Sequence, residues 1–286
     1  MTRIDIDHLR GWIGRTETAS DTITPGLIHR FRATLGKAGL DDRDAVPPAI
    51  HWCLAPAAVM PEEIGADGHP ARGGFLPPVP LPRRMWAGGE LQFHDPLLPG
   101  DEVTRSSRIA DVAAKSGKSG QLVFVTVEHE ISTTRGVAVK ERQDIVYREV
   151  QEAGQGKPAI TPASEPPQPG DHSEDVEATP VLLFRYSALT FNGHRIHYDR
   201  DYVRNVEGYP RLVVHGPLQA TMLVHLATRL TAGKVPARFA YRGNHPLFDG
   251  NSFSLNAKKT PDGLELWTCA HTGERTMTAK ATWAST

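Results

Sequence analysis

Apolar residues recur every four positions from Leu218 through Met222 and Leu226 to Leu230, with Leu223 and Ala227 beside them. That spacing predicts one long helix, buried along most of its length. Pro217 stands at its first position, where the missing N–H breaks no helical hydrogen bond, and Gly233 and Pro236 supply the stop. Another helix is expected after the capping residue Thr24 and Pro25, with Leu27, Ile28, Phe31 and Leu35 on one face and Gly36 or Gly39 at its end. From Gly100 the period drops to two. Residues 102–112, 121–132 and 137–150 read as strands, in which Val123, Val125, Val127 and Ile131 take one face and Leu122 and Phe124 the other. Residues 252–259, 264–271 and 275–283 alternate again, with Phe253, Leu255 and Ala257 facing one way and Met277, Ala279, Ala281 and Trp283 doing the same in the last strand. Turn residues at 115–120, 134–136, 261–263 and 272–274 join each set of three into an antiparallel meander. Residues 51–55 read as one more short buried strand.

Between these patterns lie two stretches without period. Residues 56–84 hold seven prolines and four glycines, and read either as a lid or binding loop or as a meandering surface connection. Residues 151–180 are rich in Pro, Gly, Glu and Ser and read as an exposed linker, which places a boundary between units 1–150 and 181–286. The two meanders are introduced by similar words, His94-Asp-Pro-Leu-Leu-Pro-Gly-Asp101 and Asn244-His-Pro-Leu-Phe-Asp-Gly-Asn251. A helix lies upstream of each. The chain is therefore expected to be α+β, with two copies of one helix-plus-antiparallel-sheet unit.

Composition narrows the classes. A chain of 286 residues has ample surface to bury a core, and Lys+Arg 32 against Asp+Glu 33 gives no footprint for nucleic acid or a membrane surface. Cys53 and Cys269 are too far apart, and lack the spacing, for a disulfide framework or a zinc site, so a reducing cytoplasm is expected. No apolar run approaches the ~20 residues that span a bilayer, and residues 1–24 carry charges where a signal peptide would be apolar.

The chemistry concentrates in Thr190-Phe-Asn-Gly-His-Arg-Ile-His-Tyr-Asp199, where Asn192, His194, His197, Tyr198 and Asp199 crowd into eight residues. A connector then leads through Leu212-Val-Val-His-Gly-Pro217 into the long helix. Gly216 has no side chain, so a ligand oxygen can approach the free N–H groups and positive dipole end of the first turn. In the first unit the corresponding region near 42–51 has no such cluster, and one site per chain follows.

These residues resemble the hot-dog fold of the MaoC-like, type 2 hydroxyacyl-thioester dehydratases and (R)-specific enoyl-CoA hydratases. The likeness spans nearly the whole chain and is sharpest at Asn192–Asp199, at His215-Gly216 and in the lead-in from Arg185 to Thr190. Within that superfamily the chain is most similar to the mesaconyl-CoA and itaconyl-CoA hydratase branch. The resemblance implies a double hot-dog with one antiparallel layer around two long helices, pairing into a homodimer or higher homo-oligomer. It implies reversible addition of water across the C=C of an enoyl-CoA, a C5 dicarboxylyl-CoA in this branch, with no cofactor beyond the CoA of the substrate. The family's catalytic histidine falls on His197, its helix-start glycine on Gly216 and its aspartate on Asn192. Asn192 departs from the pattern, since an amide orients water but accepts no proton at neutral pH. The family's proline falls on Arg195, which is expected at a substrate carboxylate, a CoA phosphate or solvent. Tyr198, Asp199 and His215 complete the expected substrate surroundings, the first two also as braces and His215 as a fixture of the helix entry; His194 reads as structural. No phosphate-cradling glycine motif, metal-spaced His/Asp set or Gly-x-Ser-x-Gly elbow occurs, so no metal is expected. A hot-dog thioesterase and a non-catalytic acyl-CoA-binding subunit are the rival readings.

Overall fold

The structure, a computed structural model, describes residues 4–40, 45–117, 120–149 and 170–284. The alternating stretches form strands β1 (Thr16–Thr22), β2 (Arg83–Phe93), β3 (Glu102–Gly117), β4 (Gly120–Thr133), β5 (Gly136–Arg148), β6 (His172–Glu177), β7 (Arg238–Gly243), β8 (Ser252–Thr260), β9 (Gly263–Ala270) and β10 (Arg275–Thr282). Helices α1 (Ile6–Arg10), α2 (Pro25–Leu35), α3 (Pro180–Thr190), α4 (Arg200–Asn205) and α5 (Gly216–Leu230) connect and cover them.

All ten strands lie in one antiparallel sheet, in the order β1-β3-β4-β5-β2-β7-β10-β9-β8-β6. Read outward from the central β2–β7 pair, both halves have the same order. The echoed words have the same role in each. His94 and Asp95 donate their backbone N–H groups to Ala138 O at 2.8 and 3.3 Å, as Asn244 and His245 do to Thr276 O at 2.9 and 3.2 Å. Thr24 and Thr179 then cap α2 and α3, each hydroxyl accepting at 3.1 Å from the N–H three residues on, with proline next in both. This is the double hot-dog expected from the sequence.

Helix α5 is the core of the second half, buried from Leu218 to Thr228 and packed on β7, β8, β9, β10 and β2. Among the described residues, the longest helix of the first half is α2, shorter than α5, with Leu27, Ile28, Phe31 and Leu35 in the core. In that half the proline-rich segment lies against the sheet, with Val79 and Leu81 fully buried among Ile109, Val112, Val123, Val125, Val127 and Tyr147. Prolines 77, 78, 80 and 82 remove the N–H groups that a helix would need.

Two expectations are corrected. Residues 51–55 are not a strand; Ile50–Cys53 is a 3-10 turn between left-handed Ala49 and Ala55, flanked by prolines 47, 48 and 56 that a central strand does not accommodate. The span 151–180 is not linker throughout, since β6 pairs with β8 and α3 begins at Pro180; residues 150–169 lie outside the described residues. At the sheet centre Gly88 and Gly89 are required by close approach, because a Cβ would stand 2.6 Å from Tyr241 O and 2.3 Å from Arg142 O respectively.

Candidate active site

The loop after α3 is held by its own side chains. Asn192 Oδ1 accepts from His194 N at 3.0 Å, Tyr198 Oη donates to Gly193 O at 3.0 Å, and Asp199 caps α4 by accepting from Tyr202 N at 2.9 Å. Its backbone also meets the proline-rich segment of the first half: Arg195 N donates to Asp67 O at 2.9 Å. Gly68 and Gly193 make that meeting possible, since a Cβ on Gly68 would lie 2.0 Å from Gly193 O.

The connector 212–214 fixes His197. Val213 N donates to Ile196 O at 3.0 Å and Val214 N to Leu247 O at 2.8 Å, so the Val213 carbonyl is aimed and accepts from His197 Nδ1 at 2.7 Å. Nδ1 therefore carries the proton and Nε2 is the free acceptor. Burial pulls His197 down to about 3, only partly offset by Val213, so at neutral pH it is an uncharged base. His215 stacks on it, ring centres 3.6 Å apart, and is held by Ser187 Oγ at 2.8 Å. Burial keeps His215 neutral as well.

A cavity of about 1220 Å³ opens in front of these groups, lined by Asn192, His194, His197, Gly216 and Gln219 from the second half and by His69, Arg84 and Trp86 from the first. Gly216 begins α5, so its N–H has no preceding helical carbonyl to bond. A Cβ at Gly216 would come no nearer than 3.9 Å to Trp86, so there is room beside this glycine. Gln219, one turn on, has its Oε1 engaged by the Thr268 and Thr276 hydroxyls at 2.8 Å each.

Three of the expected site residues thus share one cavity: His197, Asn192 and Gly216. The others do not line it. Arg195 reaches Asp199 at 2.8 and 2.9 Å and Ala66 O at 3.1 Å and lies over the Tyr202 ring, so it braces the loop instead of facing a substrate. Tyr198 is half exposed on the outside, Asp199 is the helix cap, and His215 stands behind His197. His194, read as structural, does line the cavity, with its ring 5.4 Å from His197 and 4.2 Å from His69.

His69 and its neighbours were not legible as site residues. Asp67 Oδ2 lies 3.3 Å from His69 Nδ1, and Oδ1 accepts from His69 N at 3.0 Å. Burial raises the Asp67 carboxyl, but the His69 hydrogen bonds and the charge of Arg84 outweigh it and hold it well below the usual range. Burial depresses His69 and His194, and the Arg84 charge adds to the effect. Donor atoms of Asp67, His69 and His194 gather within 4.8 Å, enough for a metal by position. The guanidiniums acting on the cluster, Arg84 on all three and Arg72 on His69, oppose a cation there and favour an anion. Cys53 and Cys269 are free and buried, and burial pushes the Cys53 thiol up to about 12, so it is no nucleophile.

A neutral, oriented imidazole and a helix-start N–H that line one large cavity suit proton transfer to and from an acyl thioester. The family model for hydroxyacyl-thioester dehydratase type 2 matches residues 49–249, well over half of the chain. The chain belongs to that family. It is an enoyl-thioester hydratase/dehydratase, a hydro-lyase. A mesaconyl-C(4)-CoA hydratase of Chloroflexus aurantiacus is 44% identical over 257 residues, covering 89% of this chain and 90% of that protein. Among solved structures, a MaoC-like dehydratase from Phytophthora capsici superposes with a TM-score of 0.72 at 13% identity, over 99% of this chain and 98% of that one. A double-hotdog protein of Mycobacterium tuberculosis gives a TM-score of 0.54 at 15% identity, over 93% and 94%. These last two likenesses bear on the fold alone. Among the described residues no helix of this dehydratase-family chain is long and apolar enough to cross a membrane.

Proposed function

We propose that the chain adds water to a C5 dicarboxylyl enoyl-CoA, mesaconyl-C4-CoA or itaconyl-CoA, using His197, Asn192 and Gly216. The observation that carries this reading is the 44% identity with a mesaconyl-C(4)-CoA hydratase over 89% of the chain, in a protein whose His197, Asn192 and Gly216 line one cavity. In the hydration direction, on mesaconyl-C4-CoA, whose double bond is conjugated with the thioester, His197 Nε2 takes a proton from water while the oxygen bonds to the β-carbon. The Asn192 amide N–H holds that oxygen without competing for its proton; the Asn192 oxygen is already engaged by His194 N. The π electrons move to the thioester oxygen, whose enolate charge the Gly216 N–H and the α5 dipole stabilise. The imidazolium then returns a proton to the α-carbon, and the neutral base is restored. The low basicity that burial gives it is offset as enolate charge develops nearby, since an adjacent anion raises a histidine. Dehydration is the same path reversed.

The partner is the acyl-CoA itself, and a homodimer or higher homo-oligomer in the cytoplasm completes the proposal. The two sheet edges, β1 and β6, support association, and the two buried free thiols suit a reducing compartment. Loss of enoyl-thioester absorbance on crotonyl-CoA and mesaconyl-C4-CoA, with mass spectrometry of the hydrated product for itaconyl-CoA, tests the substrate. Faster turnover of a dicarboxylyl substrate is expected; crotonyl-CoA as the best of the three would contradict it. Light scattering reads the oligomer.

A further inference from the structure

We propose that Arg84 determines specificity by receiving the second carboxylate of the acyl group. The inference rests on the dicarboxylyl reading above and assigns it a residue that the sequence motif does not contain.

Six arginines line the cavity: Arg72, Arg83, Arg84, Arg105, Arg148 and Arg204. Five are engaged. Arg72 donates to the Val79, Leu81 and Pro82 carbonyls, Arg83 pairs with Glu207 at 3.1 Å, Arg105 stands 3.7 Å from Glu17, Arg148 donates to Tyr209 Oη at 2.7 Å and Arg204 to Pro210 O at 3.3 Å. Arg84 has no ion pair and no carbonyl acceptor among the described residues. Its charge acts on Asp67, His69, His194 and Tyr147, which places it beside the catalytic end of the cavity. The buried Tyr147 hydroxyl is the neutral side chain beside Arg84, and Asp67 is turned to His69 and does not line the cavity. A partly buried guanidinium whose nearest hydrogen-bonding side chain is a neutral phenol, with no ion pair of its own, calls for an anion from the ligand.

The position suits the acyl group. Arg84 precedes Trp86 by two residues on β2, both line the cavity, and Trp86 lies beside Gly216. Residues i and i+2 of a strand lie roughly 7 Å apart on one face. A thioester oxygen and a carboxylate on the β-carbon of the same acyl chain are separated by about 5 Å, so one group reaches Gly216 N–H while the other turns towards Arg84. Arg195, the arginine the motif offers for this task, is committed to Asp199.

The test is binding, which requires no turnover. Succinyl-CoA carries the second carboxylate and no double bond; butyryl-CoA lacks both. Titrated by tryptophan fluorescence, the wild type should bind succinyl-CoA on the order of 10- to 100-fold more tightly than butyryl-CoA, as for a charged hydrogen-bonded pair. Arg84→Gln should bring that ratio to about one, and Arg84→Lys should keep part of it. The assignment is overturned by a wild type without preference, by an unchanged ratio in Arg84→Gln, or by equal weakening of both ligands, which would put Arg84 on the CoA moiety. Arg84→Lys covers the case of an Arg84→Gln protein that does not fold. Hydration assays on the wild type run alongside: inactivity towards mesaconyl-C4-CoA would contradict the functional reading, while the binding ratio judges Arg84 separately.

Discussion

At the scale of single residues, the site depends on what burial does to an imidazole. His197 is held at about 3 by burial, so its neutral form is present throughout the working range. As pH falls, protonation of this base sets in only near pH 4 and below. kcat/KM should therefore show no acid limb near pH 6.5, the position of an ordinary histidine; a limb centred there in a still-folded protein would remove His197 as the base. Asn192 has its oxygen engaged by the loop and its N–H groups left for water, so Asn192→Ala should lower kcat by roughly 10-fold or more with little change in KM, since orientation of a nucleophile matters least to the ground state. Steady-state kinetics on the preferred enoyl-CoA separate the two. The sequence made His197, Asn192 and Gly216 legible because loop and helix start are neighbours along the chain. His69 and Arg84 were not, because they reach the cavity from a segment more than a hundred residues upstream whose only local signal is proline and glycine. Arg195 misled for the opposite reason: the motif showed its charge but not that Asp199, four residues on, would take it.

At the scale of elements, the second of the echoed turns does more than the first. Asp249, 1% exposed, accepts from Leu212 N at 3.0 Å and from Arg200 at 2.6 Å, which pins the connector carrying the Val213 carbonyl to α4 and to the sheet. The first turn has Pro99 at the position of Asp249 and is held instead by Arg135, which donates to both Asp95 and Asp101. Asp249→Ala should lower stability by about 2 kcal/mol in urea and reduce turnover as His197 loses its fixed acceptor. Arg200→Ala, which removes a half-exposed partner, should cost less than about 1 kcal/mol; equal losses would mean that the buried Leu212 contact contributes nothing. The long helix α5 was legible because its apolar period is uninterrupted over four turns. The edge strands β1 and β6 were not, because Thr-Glu-Thr-Ala-Ser-Asp-Thr and His-Ser-Glu-Asp-Val-Glu show no buried face to alternate. The prolines of 56–84 marked that stretch as a lid, binding loop or surface connection, and its role as cavity wall depends on the loop at Gly193.

At the scale of the whole molecule, one sheet joins two halves that share a cavity, and neutral histidines are buried where they meet. Burial lowers His69, His194, His197 and His215 around the cavity and His225 in α5, the last to about 4, with Pro48 O and Leu40 N as its partners. Each has a folded pKa below its unfolded value near 6.5, so below that pH the unfolded chain takes up protons that the folded chain refuses. Stability is therefore full above about pH 6.5 and is lost as pH falls towards the folded values. Tm should drop by at least about 10 °C between pH 7 and pH 5, and a Tm constant over that interval in differential scanning calorimetry would contradict the neutral cluster. The most direct test of the account is hydration of mesaconyl-C4-CoA in 18O-labelled water, by the wild type and by a folded His197→Ala variant, followed by mass spectrometry of the thioester and by a free-thiol assay. The account predicts one labelled oxygen on the β-carbon with no thiol release from the wild type, and a rate lower by at least ~10² for the variant; thiol release without a hydrated thioester, or an undiminished rate in the variant, would contradict it.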